Sequence, residues 1–168
     1  ILSVMPKFTE HWTRPQGRVE IIAGPMFAGK TDEIIRLVNN YRMAMAEVYV
    51  VKHPLDKRYE GGISKVSSHN GRSIDCEAYA DPMSIYNRVQ ELDPLVVVID
   101  EVQFYIDSAE ILIAVVKQLA EEGRIVILAG LNTDFRGEPF GPMPILMAVA
   151  DQVNNLTAVC SICTTNSM

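Results

Sequence analysis

Gly24, Pro25, Met26, Phe27, Ala28, Gly29, Lys30 and Thr31 stand in the spacing G-x-x-x-x-G-K-[ST], and residues of those types in that order suit the binding of a polyphosphate. The glycines let backbone N–H groups come close to phosphate oxygens, and a helix opening after the loop adds partial positive charge at its N-terminus. Lys30 is long enough to reach β and γ phosphates, and the Thr31 hydroxyl can hold Mg²⁺. The plainer alternative is a glycine turn that happens to end in Lys-Thr.

A second candidate is the pair Asp100-Glu101, which closes the run Pro94-Leu95-Val96-Val97-Val98-Ile99. A carboxylate at the exit of a buried strand can serve a metal bound at the phosphate loop, as the second acidic motif of P-loop proteins does. Side chains alternate along a strand, so the two acids are expected to divide the work, one toward the metal and the other toward an acceptor. A solvated acidic turn is the competing reading.

Such groups meet only if the strand exits converge. Val19 to Ala23 reads as a strand before the loop, and the stripe Ile34, Ile35, Leu37, Val38, Tyr41 and Met45 reads as a helix after it. Val48 to Lys52 is a second strand, stopped by His53-Pro54. Asp56 to Gly71, polar and rich in Gly and Ser, is expected to be a loop or irregular hairpin. Asp81-Pro82 opens a helix to about Glu91, and a further helix from about Ser108 to Glu122 closes at Gly123. Arg124 to Ala129 repeats the continuously apolar strand pattern of residues 94–99. Strands alternating with helices imply an α/β fold with a parallel sheet and helices on both faces, a P-loop NTPase core. In such a fold ligands sit beyond the carboxyl ends of the strands, here after Ala23, Lys52, Asp100 and Ala129.

At 168 residues, 48% of them hydrophobic, the chain can bury one sizeable core. A net charge of −6 gives no general attraction for a polyanion, so neither nucleic acid nor an acidic membrane is expected as partner. No apolar run approaches the roughly 20 residues that span a bilayer, and residues 1–17 lack the apolar core of a signal peptide. With only three cysteines, Cys76, Cys160 and Cys163, a disulfide framework is not expected, and a cytoplasmic, reducing location follows.

Taken in order, Gly24 to Thr31, Asp56-Lys57-Arg58-Tyr59, Ser68-His69-Asn70-Gly71, Ile99 to Phe104, Ala129-Gly130-Leu131, Asp134 to Gly141 and Leu156 to Cys163 make the chain resemble the thymidine kinase family of bacteria and animal cytosol. These segments cover residues 18–163, nearly the whole sequence. The resemblance implies transfer of the γ-phosphoryl group of ATP to the 5′-hydroxyl of thymidine with Mg²⁺. It makes Glu101 the base on that hydroxyl, brings Asp100 and Gln103 to the nucleotide beside the glycine loop, and puts Arg58 at the phosphates. It also implies that Met26, Phe104, Leu131, Phe135 and Phe140 wall the base, although each alone reads as an ordinary core residue. A homotetramer and feedback inhibition by thymidine triphosphate are further implications.

Cys160-x-x-Cys163 supplies two of the four ligands of a closed zinc site, while buried free thiols or a redox pair fit the same spacing. The resemblance makes the pair part of a structural zinc site whose second cysteine pair would follow some thirty residues on, after a loop over thymidine. Here the sequence stops at Met168, and Thr164 stands where that family usually has glycine. The expected organisation is an extension over 1–17, a nucleotide-binding domain over 18–155, and the beginning of a zinc-binding lid over 156–168. His69 reads as a turn residue rather than an acid or base, His11 and His53 as surface or loop residues, and Glu121 and Glu122 as a solvated helix end. Two readings compete with a kinase: an ATPase in which Glu101 orients water, and a nucleotide-binding module without turnover.

Overall fold

The computed structural model of the protein describes residues 17–54, 64–159 and 166–167. Strand β1 (Arg18–Ala23) runs into the glycine loop and helix α1 (Lys30–Met43). There follow β2 (Val48–Lys52), the β3 (Ser64–Ser67) and β4 (Ser73–Ala78) hairpin, α2 (Pro82–Leu92) and β5 (Val96–Asp100). A 3₁₀ turn (Val102–Phe104), α3 (Ala109–Glu121), β6 (Ile125–Gly130), α4 (Met143–Val149) and β7 (Gln152–Asn155) complete the main layer, and β8 (Ala158–Val159) pairs with β9 (Asn166–Ser167).

The sheet order is β3-β4-β2-β5-β6-β1-β7. Every neighbouring pair is parallel except β3 with β4, so the sheet is mixed rather than wholly parallel as expected. The cause is the connection. Ser68 and Arg72 close a short turn with Gly71 at φ 78°, and a link that short joins only antiparallel strands.

Alternation along the strands divides the core in two. Ile21, Val97, Ile99, Val126 and Leu128 pack against Ile85 and Val89 of α2 and Leu112, Val116 and Leu119 of α3. Ile22, Val96, Val98, Ile127 and Ala129 face the other way, onto Ile34, Ile35 and Val38 of α1. Helices therefore cover both faces, and each fully buried aliphatic side chain of the central strands stabilises the fold by about 1.5–3 kcal/mol. Strand β7 escapes a hydrophobic reading because three of its four residues, Gln152, Asn154 and Asn155, are polar and exposed. It is held by backbone: Asp151 N–H donates to Val19 O at 2.8 Å, Leu156 N–H to Ala23 O at 2.7 Å, and the Asp151 carboxylate accepts from Val19 N–H at 2.8 Å.

One expectation is corrected and another narrowed: His53 stands in the loop after β2, yet is no surface residue. His53 is 9% exposed, edge-on to Tyr105 at 4.6 Å and 6.0 Å from Phe104, because β2 delivers it into the layer between the sheet and the 3₁₀ turn. Glu122 is no solvated helix end. Its carboxylate accepts from Tyr86 Oη and Gln90 Nε2 of α2, each at 2.8 Å, and from Arg124 Nε at 3.3 Å. Arg124, 3% exposed, also donates to Pro94 O and pairs with Asp93 at 2.9 Å, fastening the helix pair to the starts of β5 and β6.

Candidate functional site

The loop between β1 and α1 is built on two left-handed residues, Phe27 at φ 65° and Gly29 at φ 87°. Gly24 has a different reason to be glycine: a Cβ there would stand 2.8 Å from Leu156 O. Lys30 folds its side chain back over the loop, and its Nζ donates to Gly24 O at 2.9 Å and to Pro25 O at 2.6 Å. Burial pushes the lysine's pKa down, while the charges of Glu101 and Asp100 oppose that shift. The ammonium and both carboxylates are thus electrostatic neighbours.

On the opposing side β5 ends at Asp100, in register with Lys52 of β2. Asp100 is buried, and its pKa is raised, first by burial and then by the neighbouring Glu101 charge; Lys30 and Lys52 act against the rise. Lys52 is itself buried and donates to Lys65 O at 3.0 Å. The sequence marks Lys52 as a strand exit on the ligand side; that it stands beside Asp100 follows only from the pairing of β2 with β5. Glu101 has already left the strand, in the left-handed conformation at φ 58° and ψ 38°, with its N–H on Asp100 Oδ1 at 2.8 Å. The backbone turns between the two acids, so strand alternation does not set their relative direction.

One cavity of about 400 Å³ collects the principal groups: Met26, Phe27, Gly29, Lys30 and Thr31 from the loop, Glu101, Gln103 and Phe104 from the turn after β5, and Leu131 after β6. The loops after β1 and β5 meet across the end of β6, which lies between those strands. Two further lining residues, Asp32 and His69, were not singled out as site residues from the sequence. The β3–β4 turn brings them together: Asn70 Nδ2 donates to Asp32 Oδ2 at 3.3 Å, and the His69 ring lies 4.9 Å from Phe27. That pairing spans some forty residues of chain, so local spacing carries no trace of it.

Phe140 does not line this cavity but packs edge-on against Phe104 at 6.1 Å, supporting it from behind. Phe135 lies apart from it, 92% exposed on a loop that Asp134 ties by accepting from Arg136 N–H and Glu138 N–H. Arg58, Cys160 and Cys163 fall outside the described residues. Among the described residues no group of three or more His, Cys, Asp or Glu side chains is arranged to hold a metal. A larger hollow of about 570 Å³ opens between β2 and β4 beside Tyr49, Cys76 and Glu77, and none of the loop residues reaches it.

Fold and site together define an α/β protein in which a glycine loop opening a helix faces an acid across one cavity. The solved flagellar accessory protein FlaH of Methanocaldococcus jannaschii shares the fold, with a TM-score of 0.58 over 91% of this chain and 76% of that one at 15% identity. The thymidine kinase family model matches residues 17–168. Thymidine kinases from two strains of Bacteroides fragilis, YCH46 among them, are 46% identical over 151 residues, 90% of this chain and 72% of theirs. The chain belongs to the thymidine kinase family.

Proposed function

We propose that this chain is an ATP-dependent thymidine kinase in which the Gly24–Thr31 loop is a P-loop and Glu101 is the base. One observation carries the reading: Lys30, Thr31 and Glu101 share a cavity with the apolar side chains Met26, Phe104 and Leu131. A cleft that joins charged groups to flat apolar walls suits a triphosphate meeting a nucleoside.

In the reaction the 5′-hydroxyl oxygen of thymidine bonds to the γ-phosphorus as the bond to the ADP oxygen breaks, and the hydroxyl proton passes to a Glu101 carboxylate oxygen. The products are thymidine monophosphate and ADP. Little covalent work falls to the protein, which positions the two oxygens and neutralises charge spreading over the moving group. Lys30 supplies one such charge, its ammonium exchanging the Gly24 and Pro25 carbonyls for phosphate oxygens. Arg58, by family resemblance, supplies a second. The hydroxyl of Thr31 and the carboxylate of Asp100 are the hard oxygen donors that Mg²⁺ prefers, and Asp100 lies close enough to the lysine to feel its charge. When bound there, the ion adds positive charge at the phosphates. Phe104 and Leu131 flank the pyrimidine, with Phe140 behind Phe104. The structural zinc at Cys160 and Cys163, the beginning of a zinc-binding lid over 156–168 and the homotetramer rest on the family resemblance.

Glu101→Gln tests the assignment, because it keeps shape while removing the proton acceptor. Equilibrium binding of ATP should persist while thymidine-dependent ADP release falls about 10²- to 10⁴-fold. Turnover close to wild type would remove Glu101 from the mechanism, and strong ATP hydrolysis without thymidine would favour an ATPase instead.

A further inference from the structure

Gln103 is 1% exposed, yet its amide makes two hydrogen bonds in opposite senses. Nε2 donates to Glu101 Oε2 at 2.5 Å, and Oε1 accepts from the backbone N–H of Leu131 at 3.2 Å. The second bond fixes the first: with the carbonyl oxygen committed to a backbone donor, the NH₂ group is what faces the carboxylate. Two glycines give Gln103 its space, Gly130 at the side chain and Gly141 at the backbone carbonyl. A Cβ on Gly130 would stand 2.7 Å from Gln103 Oε1, and one on Gly141, at φ 54°, would stand 2.5 Å from Gln103 O.

Glu101 needs such support. Its left-handed backbone costs about 1–2 kcal/mol for a residue with a side chain, and its carboxylate ends a flexible stem projecting from a turn. Held at one oxygen by the amide, the carboxylate keeps its other oxygen for a substrate hydroxyl.

We infer that Gln103 is a positioning residue for Glu101, tying its carboxylate to the exit of β6 so that the base and the Leu131 wall are set together. The inference rests on the reading of Glu101 as the base. It departs from the role that family resemblance gives Gln103, a contact to the nucleotide. The two roles differ in what they predict. A nucleotide contact acts on ATP whatever stands at 101, whereas a positioning residue acts only through Glu101.

The test is a double-mutant cycle on the full chain, with kcat and both KM values measured for the wild type, Gln103→Met, Glu101→Gln and the double variant, folding being checked by thermal melting. Gln103→Met is expected to lower kcat about 10- to 100-fold, the scale of a misplaced catalytic group, with KM for ATP and thymidine within about twofold of wild type. In the Glu101→Gln background it is expected to cost nothing further. Gly130→Ala presses on Oε1, and also on Val102 Cγ2 at 2.8 Å and Met143 Sδ at 3.1 Å, without removing any polar group, and its kcat and KM, read beside its melting curve, decide the matter if Gln103→Met does not fold. The same loss, silent beside Glu101→Gln, is expected. A further loss in the Glu101→Gln background, or a raised KM for ATP with unchanged kcat, overturns the positioning role in favour of a nucleotide contact. Wild-type kcat in both Gln103→Met and Gly130→Ala, alongside an impaired Glu101→Gln, overturns it while sparing the base. Wild-type turnover in Glu101→Gln overturns the base assignment and this inference with it.

Discussion

Lys30 and Glu101 approach the cavity from different strands, and the way each is held differs in kind. The lysine is tethered by carbonyls of its own loop, bonds that a phosphate can replace at small cost. The glutamate is tethered by a neutral amide, which leaves its charge in place. In a partly dry cleft a preorganised cation aimed at the transferring oxygens is worth far more than in water. Lys30→Met is therefore expected to lower kcat by about 10²- to 10³-fold at saturating Mg²⁺-ATP, as read in a coupled ADP-release assay. Turnover at half the wild-type value would show that the ammonium does not stabilise the transferring group.

At the level of elements, caps and short links position what the hydrophobic pattern alone leaves loose. Asp81 accepts from Met83 N–H at 3.1 Å and from Ser84 Oγ at 3.3 Å, with Pro82 at the first helical position, so α2 begins where the sequence places it. Asp81→Ala should cost about 1 kcal/mol, a fall of about 2–4 °C in the melting temperature for a chain of this length. KM for ATP should be unchanged, since Asp81 stands outside the cavity of the glycine loop. An unaltered melting curve would mean that Pro82 and packing suffice. The β3–β4 hairpin is the contrasting case. Gly and Ser content suggests a loop or irregular hairpin over 56–71, whereas the hairpin runs over 64–78, and its tip folds over the start of α1, where Asn70 meets Asp32 and His69 meets Phe27.

Over the molecule as a whole, the buried His53 makes stability depend on pH. Burial lowers its pKa below the ordinary 6.5, so below about that pH the unfolded chain takes up a proton that the folded one refuses. Stability is therefore complete above about 6.5 and declines as pH falls from there toward the folded value. The carboxylates of Asp81 and Asp107 share a hollow with His53, and the comparison belongs between about pH 7 and pH 5, around and below the ordinary histidine value. The melting temperature of His53→Gln should fall less steeply than that of the wild type across that range, and parallel slopes would rule the histidine out as the cause.

Much of the scaffold was legible. The central strands are unbroken apolar runs with a helical stripe or a cap between them, and hydrophobic periodicity and capping act over a few residues, within reach of a sequence reading. So does the glycine loop, whose chemistry is local to residues 24–31. What escaped was set by long-range contacts. Polar β7 pairs through its backbone, and Lys52 comes under Asp100 only when β2 and β5 lie side by side. His53 is buried by rings that belong to the turn after β5. Glu101 follows Asp100 in a left-handed backbone that a glutamate does not advertise. Sequence alone offered Lys30 and Thr31 as phosphate and metal ligands and Asp100-Glu101 as an acid pair. Only the tertiary structure decided that Lys30, Thr31 and Glu101 share one cavity, and that Gln103 bridges Glu101 to the end of β6. The distance between groups far apart in the chain is a property of strand order and packing, on which local spacing is silent.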